Sequence, residues 1–103
     1  MAKFRFTNKA VDDLSGIWNY TLETWSEKQA DRYYEMLIGF CGDVANNPAI
    51  GKTYEDISEG LYGFIAGRHI LFYRVILDDE IEIVRILHSS MDLKKRIKRS
   101  TNF

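Results

Sequence analysis

Leu61-Tyr62-Gly63-Phe64-Ile65-Ala66-Gly67, Arg68-His69-Ile70-Leu71-Phe72-Tyr73-Arg74-Val75-Ile76-Leu77, Asp78-Asp79-Glu80 and Ile81-Glu82-Ile83-Val84-Arg85-Ile86-Leu87-His88 form the stretch on which the fold turns. Three runs rich in β-branched and aromatic residues are separated by two short polar or glycine-bearing breaks. Ala66-Gly67 supplies a residue able to take positive φ in a tight hairpin. Asp78-Asp79-Glu80 is a polar loop of the length an antiparallel return needs. The stretch predicts a three-stranded antiparallel meander.

Working outward toward the N-terminus, Lys3-Phe4-Arg5-Phe6-Thr7 alternates polar and apolar and reads as a short strand. Thr7 or Asn8 can cap the helix after it. Asp12 and Asp13 are expected near that helix's positive end. Its apolar face reads Val11, Leu14, Ile17 or Trp18, Thr21 and Trp25, with an end near Thr24. Ser26-Glu27-Lys28-Gln29 is a capping box opening a second helix. That helix carries Ala30, Tyr33, Tyr34, Leu37, Cys41 and Val44 on one side and is stopped by Asn46-Asn47-Pro48. Two helices so closely joined make an αα-hairpin. Residues 49–60 read as a surface connecting loop. Toward the C-terminus, a basic helix is expected at about residues 92–99, anchored by Leu93 and Ile97.

The predicted order is strand, αα-hairpin, three-stranded meander and short helix. That is an α+β two-layer sandwich, with the helix pair covering one face of a mixed sheet. The 103 residues are one domain's worth and long enough to bury a core without staples. One cysteine, Cys41, excludes an internal disulfide and reads as a buried small hydrophobe. The opening Met1-Ala2-Lys3-Phe4-Arg5-Phe6 leads into alternation rather than into the apolar run of a leader, and no run is long enough to span a bilayer. A reducing, cytoplasmic setting is expected. The net charge of −1 conceals an asymmetry. Residues 94–103 hold five basic and no acidic side chains, and the rest of the chain holds nine basic and fifteen acidic ones, a net of −6. Such a basic block suits an acidic partner, or simply a solvated helix end.

The chain has no nucleophile elbow, no zincin motif, no phosphate-binding glycine loop and no metal-ligand spacing, so neither metal nor cofactor is expected. What remains is a cationic set on the sheet: Arg68, His69, Arg74, Arg85 and His88. Strict alternation places Arg85 with Ile81, Ile83 and Leu87. An arginine in such a stripe is costly unless paired, with Glu55, Asp56 or Glu59 as the expected partners, or unless it meets an anionic ligand. His88 reads as a capping or surface histidine, or as an acid–base group. Trp18, Trp25, Tyr33 and Tyr34 have the spacing of core residues, with base stacking as the other reading.

Taken in order, Ala10-x-x-Asp13-Leu14-x-x-Ile17-x-x-Tyr20, Trp25-x-x-x-x-Ala30-x-x-Tyr33-x-x-x-Leu37, Asn47-Pro48-x-x-Gly51, Gly67-Arg68-His69-x-Leu71-Phe72-Tyr73-Arg74-Val75 and Ile81-x-Ile83-Val84-Arg85-Ile86-Leu87-His88, followed by Asp92, resemble the ParE branch of the ParE/RelE superfamily of bacterial toxins. The resemblance runs nearly end to end. It implies one toxin domain over residues 1–103, a cytoplasmic toxin neutralised by a ParD-like antitoxin. ParE-like members are associated with poisoning DNA gyrase without being enzymes, whereas RelE-like members cleave mRNA on the ribosome.

For gyrase inhibition, the expected target-binding residues are Arg85, His88, Lys94, Lys95, Arg96, Lys98 and Arg99. For ribonuclease action, they are Arg68, Arg85 and His88, as two cations and an acid. The gyrase reading is preferred. Met91 stands where several RelE-like members place an aromatic or other functional side chain, the loop before the meander carries one lysine, Lys52, and a body of −6 suits ribosomal RNA poorly. Many ParE-like chains carry an arginine at the start of the meander, which Leu61-Tyr62-Gly63-Phe64 lacks, so an inactive antitoxin-binding module is a third reading. All three share an antitoxin helix laid into an apolar groove on the helix pair, lined by Leu14, Trp18, Tyr34 and Ile38.

Overall fold

The structure, a computed structural model, describes residues 2–90. The basic segment expected to be helical at about 92–99 lies outside the described residues. The elements are β1 (Lys3–Phe6), α1 (Asn8–Thr24), α2 (Glu27–Asn46), a 3₁₀ turn (Pro48–Ile50), β2 (Lys52–Thr53), β3 (Tyr62–Ala66), β4 (His69–Leu77) and β5 (Glu80–His88). They form the α+β architecture expected, with one mixed sheet in the order β1-β5-β4-β3-β2. The meander β3-β4-β5 is antiparallel, and β1 lies parallel to β5 at one edge.

The helix boundaries follow from their caps. The Thr7 hydroxyl accepts from the Ala10 amide at 3.1 Å and donates to the Val84 carbonyl at 2.8 Å, so one side chain both starts α1 and ties it to β5. The Ser26 hydroxyl accepts from the Gln29 amide at 3.1 Å. Asp12 and Asp13 fall in the second turn of α1 rather than at its positive end, and Asp13 has another role. The buried side of α1 is Ala10, with Leu14 and Ile17 packed beside it. Val11 and Trp25, expected on that side, are largely exposed.

The meander pins Gly67 at φ +62, as the hairpin reading required. Two features were not legible. Residues 49–60 do not merely connect: Lys52 and Thr53 pair with Gly63 and Tyr62 as a two-residue edge strand. Tyr54 and Ile57 then pack over Leu61, Ile70, Phe72, Val84 and Leu87. The helix pair covers the larger core of Leu37, Cys41, Val44, Leu71, Tyr73, Ile81, Ile83 and Ile86. The sheet is thus buried on both faces along its centre.

The second feature is a bulge in β5. Phe72 pairs with Arg85 and Tyr73 with Ile83, which leaves Val84 as an extra residue. The extra residue inverts the alternation. Ile81, Ile83 and Ile86 enter the core under the helices, while Val84 and Leu87 enter the second cluster. The expected stripe of Ile81, Ile83, Arg85 and Leu87 is therefore broken.

Candidate functional site

A cleft of about 640 Å³ opens between α1, the start of α2 and the ends of β4 and β5. Ile17, Tyr20 and Trp25 form an apolar wall, and Arg68, His69 and His88 form a polar end. Burial is uneven: Trp25 is 66% and Tyr20 is 68% exposed. Trp25 and Tyr34 are therefore surface residues rather than the core residues their spacing suggested.

The polar end is built by register. His69 and His88 lie directly opposite on β4 and β5, with rings edge to face at 5.2 Å between centroids. Tyr33, from α2, reaches His69, with ring centroids 5.5 Å apart. Its hydroxyl accepts from the Arg68 backbone N–H at 3.1 Å and lies 2.6 Å from His69 Nδ1. Burial, then the neighbouring His88, hold His69 down to about 4, with Asp13 opposing, so the ring is neutral in ordinary buffers. Because the Tyr33 oxygen already accepts from Arg68, its O–H is available to donate to Nδ1, which suits the tautomer with the ring proton on Nε2. The Tyr33 hydroxyl is itself held above the usual phenol range, chiefly by burial. The Ser90 amide donates to His88 Nδ1 at 3.1 Å, and the Ser90 hydroxyl lies 2.7 Å from the same nitrogen. The capping role read for His88 is thus observed.

Arg85 is not presented to solvent. It is 6% exposed, and its guanidinium donates from Nε to Asp13 Oδ2 at 2.7 Å and from Nη2 to Asp13 Oδ1 at 2.9 Å. The expected partners Glu55, Asp56 and Glu59 are replaced by Asp13. The reason lies at the sheet edge. β1 pairs only with residues 80–83 of β5, and beyond its end Asp13 takes the free Ile86 amide at 3.0 Å. The carboxylate stands in for the missing strand and meets Arg85 there. Arg74 is engaged as well, donating to the Glu59 carbonyl and the Ser58 hydroxyl.

Of the ribonuclease candidates, Arg68 and His88 share the cleft and Arg85 sits behind Asp13. Of the expected target-binding residues, Lys94, Lys95, Arg96, Lys98 and Arg99 lie outside the described residues. The four expected antitoxin contacts lie off the cleft. Leu14 packs on the core, Trp18 donates to Asp31 Oδ1 at 3.4 Å, Ile38 is half-buried and Tyr34 is exposed. Sequence reasoning missed Asp13, Tyr20 and Tyr33 as site residues. No group of three or more histidine, cysteine or acidic side chains suited to a metal occurs among the described residues. No helix there is long and apolar enough to cross a membrane.

Residues 4–93 match the family described as ParE toxin of type II toxin-antitoxin system, parDE. The chain belongs to the ParE toxin family. It is 33% identical over 96 residues to Toxin ParE1 of Mycobacterium tuberculosis (strain CDC 1551 / Oshkosh), covering 93% of this chain and 98% of that one. It is 32% identical over 97 residues to Toxin ParE1 of Caulobacter vibrioides, covering 94% and 99%. The fold is similar to that in the chromosomal ParDE TA system from P. aeruginosa, with TM-score 0.72, 19% identity and coverage of 85% of this chain and 96% of that one. It is also similar to that in the toxin–antitoxin complex RelBE2 from M. tuberculosis, with TM-score 0.63, 24% identity and coverage of 84% and 96%. Residues 4–93 of this ParE-type toxin thus include every wall of the cleft.

Proposed function

We propose that this ParE-type toxin arrests growth by inhibiting DNA gyrase, acts by binding rather than by catalysis, and is neutralised by a ParD-like antitoxin in the cytoplasm. The antitoxin partner is supported by the two similar folds, both of which come from toxin–antitoxin systems. Its first contacts are proposed on the helix pair at Leu14, Trp18, Tyr34 and Ile38. The target surface is proposed at His88 and the basic block Lys94, Lys95, Arg96, Lys98 and Arg99. Arg85, expected on that surface, is instead buried and bonded to Asp13.

The observation that carries the preference for gyrase over mRNA is the Arg85–Asp13 pair. Cleavage of RNA by 2′-hydroxyl attack needs cations on the phosphate beside an acid and a base. Here one of the two arginines available for that role is bonded twice to a carboxylate inside the fold.

The test is supercoiling of relaxed plasmid by purified gyrase with added toxin, run beside translation-coupled primer extension on mRNA. The reading expects lost supercoiling, trapped cleaved DNA and intact message. Intact supercoiling with cut message overturns it, and then His88→Ala should lower cleavage by roughly 10²–10⁴-fold.

A further inference from the structure

We infer that the polar end of the cleft, where Arg68 stands with the facing rings of His69 and His88, binds a sulfate- or phosphate-type oxyanion and takes up one proton with it. The proton comes from solvent and is held by the ring pair, so an imidazolium joins the Arg68 guanidinium as the anion arrives.

His69 and His88 oppose each other on β4 and β5, with 5.2 Å between ring centroids, and among the described residues neither is ion-paired. The titratable and charged groups round His69 come from each element packed there. Tyr33 on α2 meets its Nδ1, His88 faces it from β5, Arg68 precedes it on the chain, and Asp13 is the acid on α1. Asp13 is already bonded to Arg85 Nε and Nη2 and to the Ile86 amide, which leaves the imidazoles no uncommitted counter-ion on α1. Burial and the second ring therefore outweigh it and hold His69 down to about 4. An anion from outside supplies the missing counter-charge. It favours the imidazolium, and by linkage the imidazolium favours the anion. His69 Nδ1 is engaged by Tyr33 and His88 Nδ1 by Ser90, so Nε2 is the uncommitted nitrogen of each ring among the described residues. Arg68 has no acid partner there either. On protonation His69 Nδ1 becomes a donor, and the Tyr33 oxygen, with two lone pairs, accepts from it as well as from the Arg68 N–H. One guanidinium and one imidazolium match the charge of a sulfate or phosphate dianion better than that of a single carboxylate. Ile17, Ile86 and Leu87 line the same cleft and weaken screening, whereas Asp12, the other acid on its wall, is exposed to solvent.

The test follows the histidine ring signals of the full chain by proton NMR, stepped in pH across the histidine range in sodium sulfate or in sodium chloride of equal ionic strength. Sulfate should raise the titration midpoint of His69 by about one pH unit over chloride, which corresponds to about tenfold tighter sulfate binding by the protonated ring pair. Arg68→Gln, a surface change, should abolish that rise. Lys9→Gln, the same loss of charge at an exposed position outside the cleft, should keep it. Equal midpoints in sulfate and chloride overturn the proposal, and so does a sulfate effect that survives Arg68→Gln. Inorganic phosphate, a 5′-phosphorylated oligonucleotide and its unphosphorylated form then distinguish the sources of the oxyanion by the same signals. A shift reached at lower concentration with the phosphorylated strand than with inorganic phosphate assigns the site to a nucleic-acid end, and equal potency assigns it to the free ion. An unphosphorylated strand as potent as the phosphorylated one overturns the proposal in favour of general attraction to a polyanion.

Discussion

Asp13 on α1 and Arg85 on β5 lie seventy-two residues apart and meet in a two-pronged ion pair, 2.7 Å and 2.9 Å, at the point where β1 stops covering the edge of β5. The same carboxylate takes the Ile86 amide. One side chain thus replaces a strand, neutralises a buried arginine and fixes α1 as the wall of the cleft. A pair so shielded is worth little against an apolar substitute of the same shape, but breaking it is expensive.

Asp13→Ala should therefore destabilise the fold by about 3–5 kcal/mol, because Arg85 loses its carboxylate and the Ile86 amide loses its acceptor. Adding Arg85→Met to it, which removes the stranded charge and keeps the bulk, should recover much of that loss. Urea unfolding of the two variants measures the difference. Equal losses would mean that Arg85 matters for its packing alone.

Gly51 and Tyr73 make a second coupled pair. The Tyr73 hydroxyl donates to the Pro48 carbonyl at 2.6 Å, and a Cβ on Gly51 would lie 2.1 Å from that oxygen. Burial pushes the Tyr73 phenol up to about 12, so it stays a donor across the working pH range. Gly51→Ala should cost about 1–3 kcal/mol by overpacking. Adding Tyr73→Phe should recover part of that loss although it deletes a hydrogen bond, a non-additive result that a thermal-unfolding cycle detects. Simple additivity would show that the 3₁₀ turn shifts to accommodate the methyl group.

These pairs mark where sequence reading stopped. The meander, both caps, the end of α1 at Thr24 and the stop before Pro48 were legible because each depends on a few neighbouring residues. The partner of Arg85 was not, because the extra residue Val84 shifts parity in mid-strand and no local signal marks it. β2 was missed because two residues pair only once the chain has folded back on β3. Tyr33 has the spacing of a core residue and is partly one, but its hydroxyl reaches past the end of the core to Arg68 and His69. Ile17, Thr21, Trp25 and Tyr33, which helix periodicity assigns to the interior, line the cleft because they stand where the interior ends.

His69 makes the fold sensitive to acid. Its folded value of about 4 lies below its ordinary 6.5, so between those values the unfolded chain binds more protons. Stability is full above about pH 6.5 and falls as pH drops toward 4, with a slope of at most about 1.4 kcal/mol per pH unit from this one group. The partly exposed ring makes the real slope shallower. His69→Asn keeps a side-chain acceptor for the Tyr33 hydroxyl and cannot titrate, so its stability should be flatter over that window in urea titrations at stepped pH. An unchanged slope would assign the acid sensitivity to other groups.

The last prediction concerns the basic block. If the target is met by Lys94, Lys95, Arg96, Lys98 and Arg99, reversing all five to glutamate should abolish growth arrest and gyrase inhibition together. It adds charge of the same sign as the −6 of the preceding chain and removes the one concentrated positive field. Antitoxin affinity should change little, because the proposed antitoxin contacts lie on α1 and α2, and rim charges act mainly on association rate. Raising the salt concentration should weaken gyrase inhibition by the wild type more than antitoxin binding, because the first is electrostatic and the second largely apolar. A reversed variant that still arrests growth at full strength would move the effector surface off the C-terminal block, and the exposed side chains Tyr20 and Trp25 would be the next to replace.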